Sequence, residues 1–228
     1  MSSPAPRLFD THEFEALLRE PALRANVGPG TPCPAVITRL GDSDPSLDAA
    51  VGDLPCPVIG VGDGPLQDAC DVVVRSVCEA TPLLDTVRAT PLAAMVLVQQ
   101  LRLSERLSIR SALTAESLAY ATLQAGLEFR LWRDTRPRNV RAVPPGEPQL
   151  LVERRDDCLY LRLNRPAQRN AIGVPLRDAL CTALDVPLSD PSIRHVHLEG
   201  NGPCFCAGGD LDEFGLAPDA ATAHWIRT

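Results

Sequence analysis

The sequence predicts an α/β protein, and three observations carry that expectation. Short apolar runs bounded by Gly and Pro, at 35–40, 57–61 and 71–74, read as buried strands. Apolar residues recur at helical spacing over 91–103, 114–132 and 175–186. Between Cys158 and Leu198 the order is strand, helix, strand, which implies layers of both kinds.

With 228 residues the chain lies between one large domain and two small ones. Residues 134–149 hold four prolines and a glycine with no periodic apolar pattern, so the chain divides there. The expected organisation is a first domain at 1–133, a linker at 134–149 and a second domain at 150–228.

The first domain opens with Asp10-Thr-His-Glu13, an N-cap followed three residues later by an acid, leading into Phe14, Leu17 and Leu18. A short helix ended by Pro21 follows from this. The three strands come next, then a helix over 91–103 rich in Leu, Ala, Met and Val. A second helix, over 114–132, aligns Leu118, Ala121, Thr122, Ala125 and Phe129 on one face. In the second domain Leu151–Val152 and Cys158–Leu163 read as a hairpin turning at Asp156-Asp157. Pro175 suits the first position of a helix that carries Leu176, Ala179, Leu180, Ala183 and Leu184. Residues 193–198 return as a strand, broken by Gly200-Asn-Gly202-Pro203.

All 22 basic residues are Arg, against 29 acids, for a net charge of −7 and a pI near 5.1. That sign argues against a nucleic-acid or anionic-membrane partner. The longest strongly apolar stretch, 91–98, is far short of the roughly 20 residues that span a bilayer. The first ten residues lack a basic segment followed by an apolar one, so the expected location is cytoplasmic. In that compartment the eight cysteines read as buried free thiols. Gly60-Val-Gly62-Asp-Gly64 lacks the third glycine of a dinucleotide loop and reads as a turn. His195 and His197 have no third ligand at metal spacing, and Cys204 and Cys206 have no matching second pair, so no metal is expected.

The segment with chemical content follows the last strand. Ala207-Gly208-Gly209 lets the backbone approach a ligand closely, because no large side chain intervenes. Asp210 is expected to start a helical turn, placing the Gly209 and Asp210 N–H groups where an oxyanion is favoured. The adjacent acids Asp212 and Glu213 would then suit that helix's dipole.

Leu163-Asn-Arg-Pro-Ala-Gln-Arg-Asn-Ala171, followed by Gly200-Asn-Gly-Pro-Cys-Phe-Cys-Ala-Gly-Gly-Asp-Leu211, resembles the first half of the enoyl-CoA hydratase/isomerase (crotonase) superfamily. The resemblance covers about 150–228. It implies a crotonase-like ββα spiral fold, left incomplete in this C-terminal domain, and an acyl-CoA substrate with coenzyme A as part of the substrate rather than a cofactor. It further implies lyase-type chemistry of fatty acid metabolism, through an enolate-like anion held by two backbone N–H groups. Gly209 would supply the first of these as the catalytic donor. Ala207, Gly209, Asp210, Leu211 and Asp212 would line the acyl thioester and pantetheine. The loop carrying Arg169 and Ala171 would meet the adenine end, with Arg169 at the phosphates. The family's second donor and its catalytic glutamates would fall beyond Thr228, so a truncated form is expected, with exposed apolar surface and poor solubility. The alternative is a non-catalytic acyl-CoA-binding or protein-interaction module. The family's homotrimer or hexamer depends on C-terminal helices and is not expected of this chain.

Residues 54–74 and 116–126 are similar to later segments of the same family, without its oxyanion glycines and acid. The first domain is therefore expected to be either a degenerate crotonase-like copy or an α/β cap.

Overall fold

The computed structural model describes residues 7–136 and 146–228. The elements run β1 (Leu8–Phe9), α1 (Thr11–Arg19), α2 (Pro21–Arg24), β2 (Val36–Arg39), α3 (Asp48–Gly52), β3 (Val58–Val61) and β4 (Val72–Val74). Four helices follow: α4 (Val77–Ala89), α5 (Pro91–Ser104), α6 (Ile109–Ala125) and α7 (Leu127–Thr135). Then come β5 (Leu150–Arg155), β6 (Cys158–Leu163), α8 (Val174–Ser189), β7 (His195–Gly200) and α9 (Ala220–Arg227). The class is mixed α/β, as the sequence predicts. Two compact units form, one from the chain up to Thr135 together with Pro218–Thr228, the other from Arg136–Ala217. Pro218–Thr228, read from the sequence as part of the second domain, thus joins the first unit. Most of the expected linker, 137–145, lies outside the described residues.

In the first unit the four strands are all parallel, in the order β1-β2-β3-β4, with Leu8 opposite Ile37, Val36 opposite Val58 and Ile59 opposite Val72. Strand alternation sends Val36 and Val58 to one face, against Phe14, Leu18, Val51 and Leu54. Ile37, Ile59 and Val61 face the other way, against Ala80, Leu84 and Val87 of α4. Covering both faces is what an all-parallel sheet requires, and each fully buried Val or Ile contributes about 1.5–3 kcal/mol. The capping box that opens α1 is present: Glu13 N–H donates to Asp10 Oδ1 at 2.9 Å and Asp10 N–H to Glu13 Oε2 at 3.1 Å. Gly60-Val-Gly62-Asp-Gly64 forms the end of β3 and a turn. A Cβ on Gly64 would lie 2.7 Å from the Gly41 carbonyl oxygen, so this glycine serves close backbone packing.

Several helical features depart from expectation. α4 was not predicted, because Pro82 interrupts its pattern. The expected helix 114–132 begins earlier, at the Ser108 cap, and breaks at Gly126, whose extended backbone separates α6 from α7. The separate α7 lets Glu128 accept from the N–H groups of Leu92 and Ala93, both at 2.9 Å, and so cap α5. Helix α9 packs on α6 through His224 Nδ1 to Ser117 Oγ at 2.9 Å, Arg227 to Glu116 at 3.1 Å, and the Arg227 guanidinium 4.0 Å from the Tyr120 ring centre.

Arg102 of α5 ties the sheet to its connections. Its Nε and one terminal nitrogen donate to Asp71 Oδ1 and Oδ2 at 2.9 and 2.6 Å, and it also donates to the carbonyls of Gly52, Leu54 and Cys56. Asp71 in turn accepts from Val58 N–H at 2.7 Å.

In the second unit β5 pairs antiparallel with β6, and β7 pairs parallel on its other side, so Val152 and Leu198 flank Leu161. The hairpin turns at Asp156, which takes φ 52°, as its place at a tight turn requires. Leu159, Leu161 and Leu163 pack against Leu176 and Ala183 of α8. That helix extends past the expected 186 to Ser189, with Pro187 in its last turn. It packs on β5 and β6, leaving Val196 and Leu198 of β7 41% and 46% exposed. The opposite face is polar, with Tyr160 stacked on His197 at 5.0 Å and Arg162 paired with Glu199.

Among the described residues no single helix is long and apolar enough to cross a membrane; α4 and α5 meet that test only as a pair bent by 109°. All eight cysteines are free, but the expectation of burial needs correction: Cys56 is buried, whereas Cys78 and Cys181 are exposed. Burial pushes the Cys56 and Cys70 thiols up to about 12, which removes the reactive thiolate at neutral pH. Native-state alkylation followed by mass spectrometry is therefore expected to label Cys78 and Cys181 and to spare Cys56 and Cys70 until the protein is denatured. Early labelling of Cys56 would show that its core opens.

Candidate active site

The site begins where β6 ends. Residues 166–168 make one tight turn, and Arg169 and Asn170 then both adopt the left-handed conformation, φ 53° and 54°. Asn tolerates this region; Arg does so only when the surroundings impose it. Here the buried Asn170 side chain imposes it. Its Oδ1 accepts from Arg165 N–H at 2.9 Å, and its Nδ2 donates to the Asn201 and Cys204 carbonyls at 3.0 and 2.7 Å. One amide thus clips the two sequence motifs together. The N–H groups of Arg169, Asn170 and Ala171 all bond within the loop. An anion approaching this loop is met by side chains, with the Arg169 guanidinium exposed.

The glycine segment is laced to that loop. Ala207 N–H donates to the Arg169 carbonyl at 2.9 Å, Ile172 N–H to Gly208 O at 2.8 Å and Asp210 N–H to Ile172 O at 3.0 Å. Gly208 has φ +88°, which only glycine adopts freely, and its N–H bonds to Cys206 Sγ at 3.3 Å. Between these engaged neighbours the Gly209 N–H has no hydrogen-bond partner among the described residues. A Cβ on Gly209 would meet the Phe214 ring at 3.0 Å.

Two expectations are corrected here. Asp210 does not start a helix: residues 210–216 form successive turns, with Glu213 N–H bonded to Asp210 O and Leu216 N–H to Glu213 O. The Asp210 carboxylate makes the bond an N-cap would make, its Oδ1 accepting from Asp212 N–H at 3.1 Å, but only turns follow it. With its own N–H bonded to Ile172, Asp210 offers no oxyanion donor, and Gly209 stands alone. Glu213 serves a different helix from the one expected, since it accepts from Val174 N–H at 2.8 Å at the start of α8.

Ala207, Gly209, Asp210, Leu211, Asp212, Arg169 and Ala171, the residues singled out from the sequence, all line one cleft of about 630 Å³. Arg136, Arg165, Gln168 and Glu213 line it as well. Of these Arg165 is the important omission. It is 8% exposed, donates to Ala171 O at 2.5 Å and to Asp210 Oδ2 at 3.0 Å, and stands between Asn164 and Pro166 at a strand exit. Asp212 Oδ1 is buried without a hydrogen bond, 3.5 Å from the Arg136 guanidinium. A larger cleft, about 920 Å³, lies in the first unit around Asp71 and Arg102. Those two charges satisfy each other there, and neither sequence motif reaches it.

Residues 158–224 match the enoyl-CoA hydratase/isomerase family. The enoyl-CoA hydratase EchA19 of Mycobacterium tuberculosis is 45% identical over 64 residues, 28% of this chain and 24% of that protein. The 3-hydroxyisobutyryl-CoA hydrolase 1 of Arabidopsis thaliana is 40% identical over 66 residues, 29% of this chain and 18% of that protein. The chain therefore spans about a quarter or less of the length of these relatives. Among solved structures, an enoyl-CoA hydratase from Mycobacterium tuberculosis H37Rv shares 38% identity over 31% of this chain and 28% of that one, with a TM-score of 0.30.

Proposed function

We propose, from the match of residues 158–224 to the enoyl-CoA hydratase/isomerase family, that the second unit holds the thioester of an acyl-coenzyme A in its cleft. The thioester oxygen accepts the Gly209 N–H, and charge that develops on this oxygen as an enolate-like anion forms is stabilised there. The single observation that carries this reading is the Gly209 N–H, unpaired among the described residues between two neighbours whose N–H groups are bonded. A fixed donor aimed at developing charge costs no reorganisation during the reaction. The small residues Ala207 and Gly208 let the acyl chain approach, and the exposed Arg169 meets the phosphates of coenzyme A, which enters as substrate. The reaction class is hydration or isomerisation of a conjugated thioester.

A second reading, acyl-CoA binding without turnover, is favoured by the state of the acids. Asp210 is held by Arg165, Glu213 caps α8 and Asp212 is paired with Arg136, so among the described residues every carboxylate lining the cleft is already engaged. Enoyl-CoA substrates with short, medium and aromatic chains separate the two. Loss of the conjugated thioester absorbance supports the enzyme. Calorimetric binding with stable absorbance supports the binding module. Absence of heat with every chain overturns both.

A further inference from the structure

We infer that Arg165 is a positioning residue that sets the direction of the Gly209 N–H; this rests on the oxyanion reading of the cleft. The Arg165 side chain bonds to both walls of the site. One terminal nitrogen donates to the Ala171 carbonyl, on the wall formed by the left-handed loop. The other donates to Asp210 Oδ2, on the wall that carries Gly209. The Asp210 carboxylate is shared, its second oxygen closing the turn onto Asp212 N–H. The guanidinium therefore fixes the residue immediately after Gly209 against the backbone immediately before Ile172, whose own N–H and C=O bracket Gly209 through Gly208 O and Asp210 N–H.

The bonding pattern distinguishes this role from simple core filling. Arg165 is 8% exposed, yet its Nε has no hydrogen-bond partner among the described residues. A buried arginine selected only for its own satisfaction would pair that donor too. Its terminal nitrogens are committed to the two walls instead, and the planar fork spans both at once. A lysine ammonium keeps the charge but is a single point and cannot span the same pair of acceptors.

A para-dimethylaminocinnamoyl thioester of coenzyme A reads the consequence directly, because its absorption band moves to the red when its carbonyl is polarised. The wild-type protein is expected to bind it with a red shift. Arg165→Lys is expected to bind within about threefold of wild type but with the red shift lost. On a turned-over substrate kcat is expected to fall by about 10²-fold with KM nearly unchanged. A full red shift in Arg165→Lys overturns the inference alone. Wild-type binding with no red shift overturns the oxyanion reading and this inference with it. If Arg165→Lys fails to fold by circular dichroism, Asp210→Asn weakens the same bridge from its other end. A diminished shift there supports the inference, and an unchanged one overturns it.

Discussion

Gly209→Val is expected to lower turnover of an enoyl-CoA by about 10²–10³-fold, the usual effect of losing one oxyanion donor. A backbone N–H cannot be deleted by mutation, so the substitution must displace it. The Cβ of any side chain at 209 would lie 3.0 and 3.3 Å from Phe214 ring carbons, so either the ring or the glycine segment must shift. Valine adds two methyl groups into the same space. On the proposed reading, coenzyme A lacking an acyl group would meet the Arg169 end of the cleft without needing Gly209, and its affinity is expected to change little. Equal losses of free coenzyme A binding and of turnover would mean that the whole cleft had collapsed. Gly209→Ala with Phe214→Leu tests the steric cause, since shortening the ring should recover part of what Gly209→Ala loses.

Arg102→Met is expected to destabilise the first unit by about 3–5 kcal/mol, measured as a lower urea midpoint. The pair is mostly buried, with side chains 18% and 13% exposed. Removing the guanidinium leaves the Asp71 carboxylate without its partner and the carbonyls of Gly52, Leu54 and Cys56 without their shared donor. Asp71→Asn added to Arg102→Met relieves the uncompensated charge, so the double variant should be more stable than the sum of the two single losses implies. Simple additivity would show that the two groups act independently.

The readable parts of the sequence are those whose cause is local. The strands at 36–39, 58–61 and 72–74 follow from apolar runs between turn residues, although Val72 and Val73 of the last, read as buried, are 38% and 42% exposed, and the hairpin at Asp156-Asp157 follows from the alternation after it over 158–163. The cleft residues from Ala207 to Asp212 were found because small residues after a strand have a direct chemical meaning. Local cues also misled. The pattern of Leu118, Ala121, Ala125 and Phe129 continues smoothly through Gly126, where the backbone turns away. Asp210 has the appearance of a helix N-cap and its carboxylate makes that bond to Asp212 N–H, yet the residues after it form only turns.

The rest depends on contacts too distant for any window to reveal. Arg165 meets Asp210 across 45 positions and Arg102 meets Leu54 across 48. Arg165 stands inside the Leu163–Ala171 motif, but neither that position nor anything near Arg102 tells which carbonyls and carboxylates each guanidinium reaches. Only the fold shows which guanidiniums are bonded inside the protein and which, such as Arg169, face solvent.

The placement of α9 on α6 bears on the order in which the protein can be made. Ser117 is 2% exposed, and His224, 107 positions later, bonds to it. Synthesis proceeds from the N-terminus, so α6 emerges long before the helix that covers it. Throughout translation of residues 136–217 this stretch of α6 stands bare, and the first unit can be finished only after the second has been made.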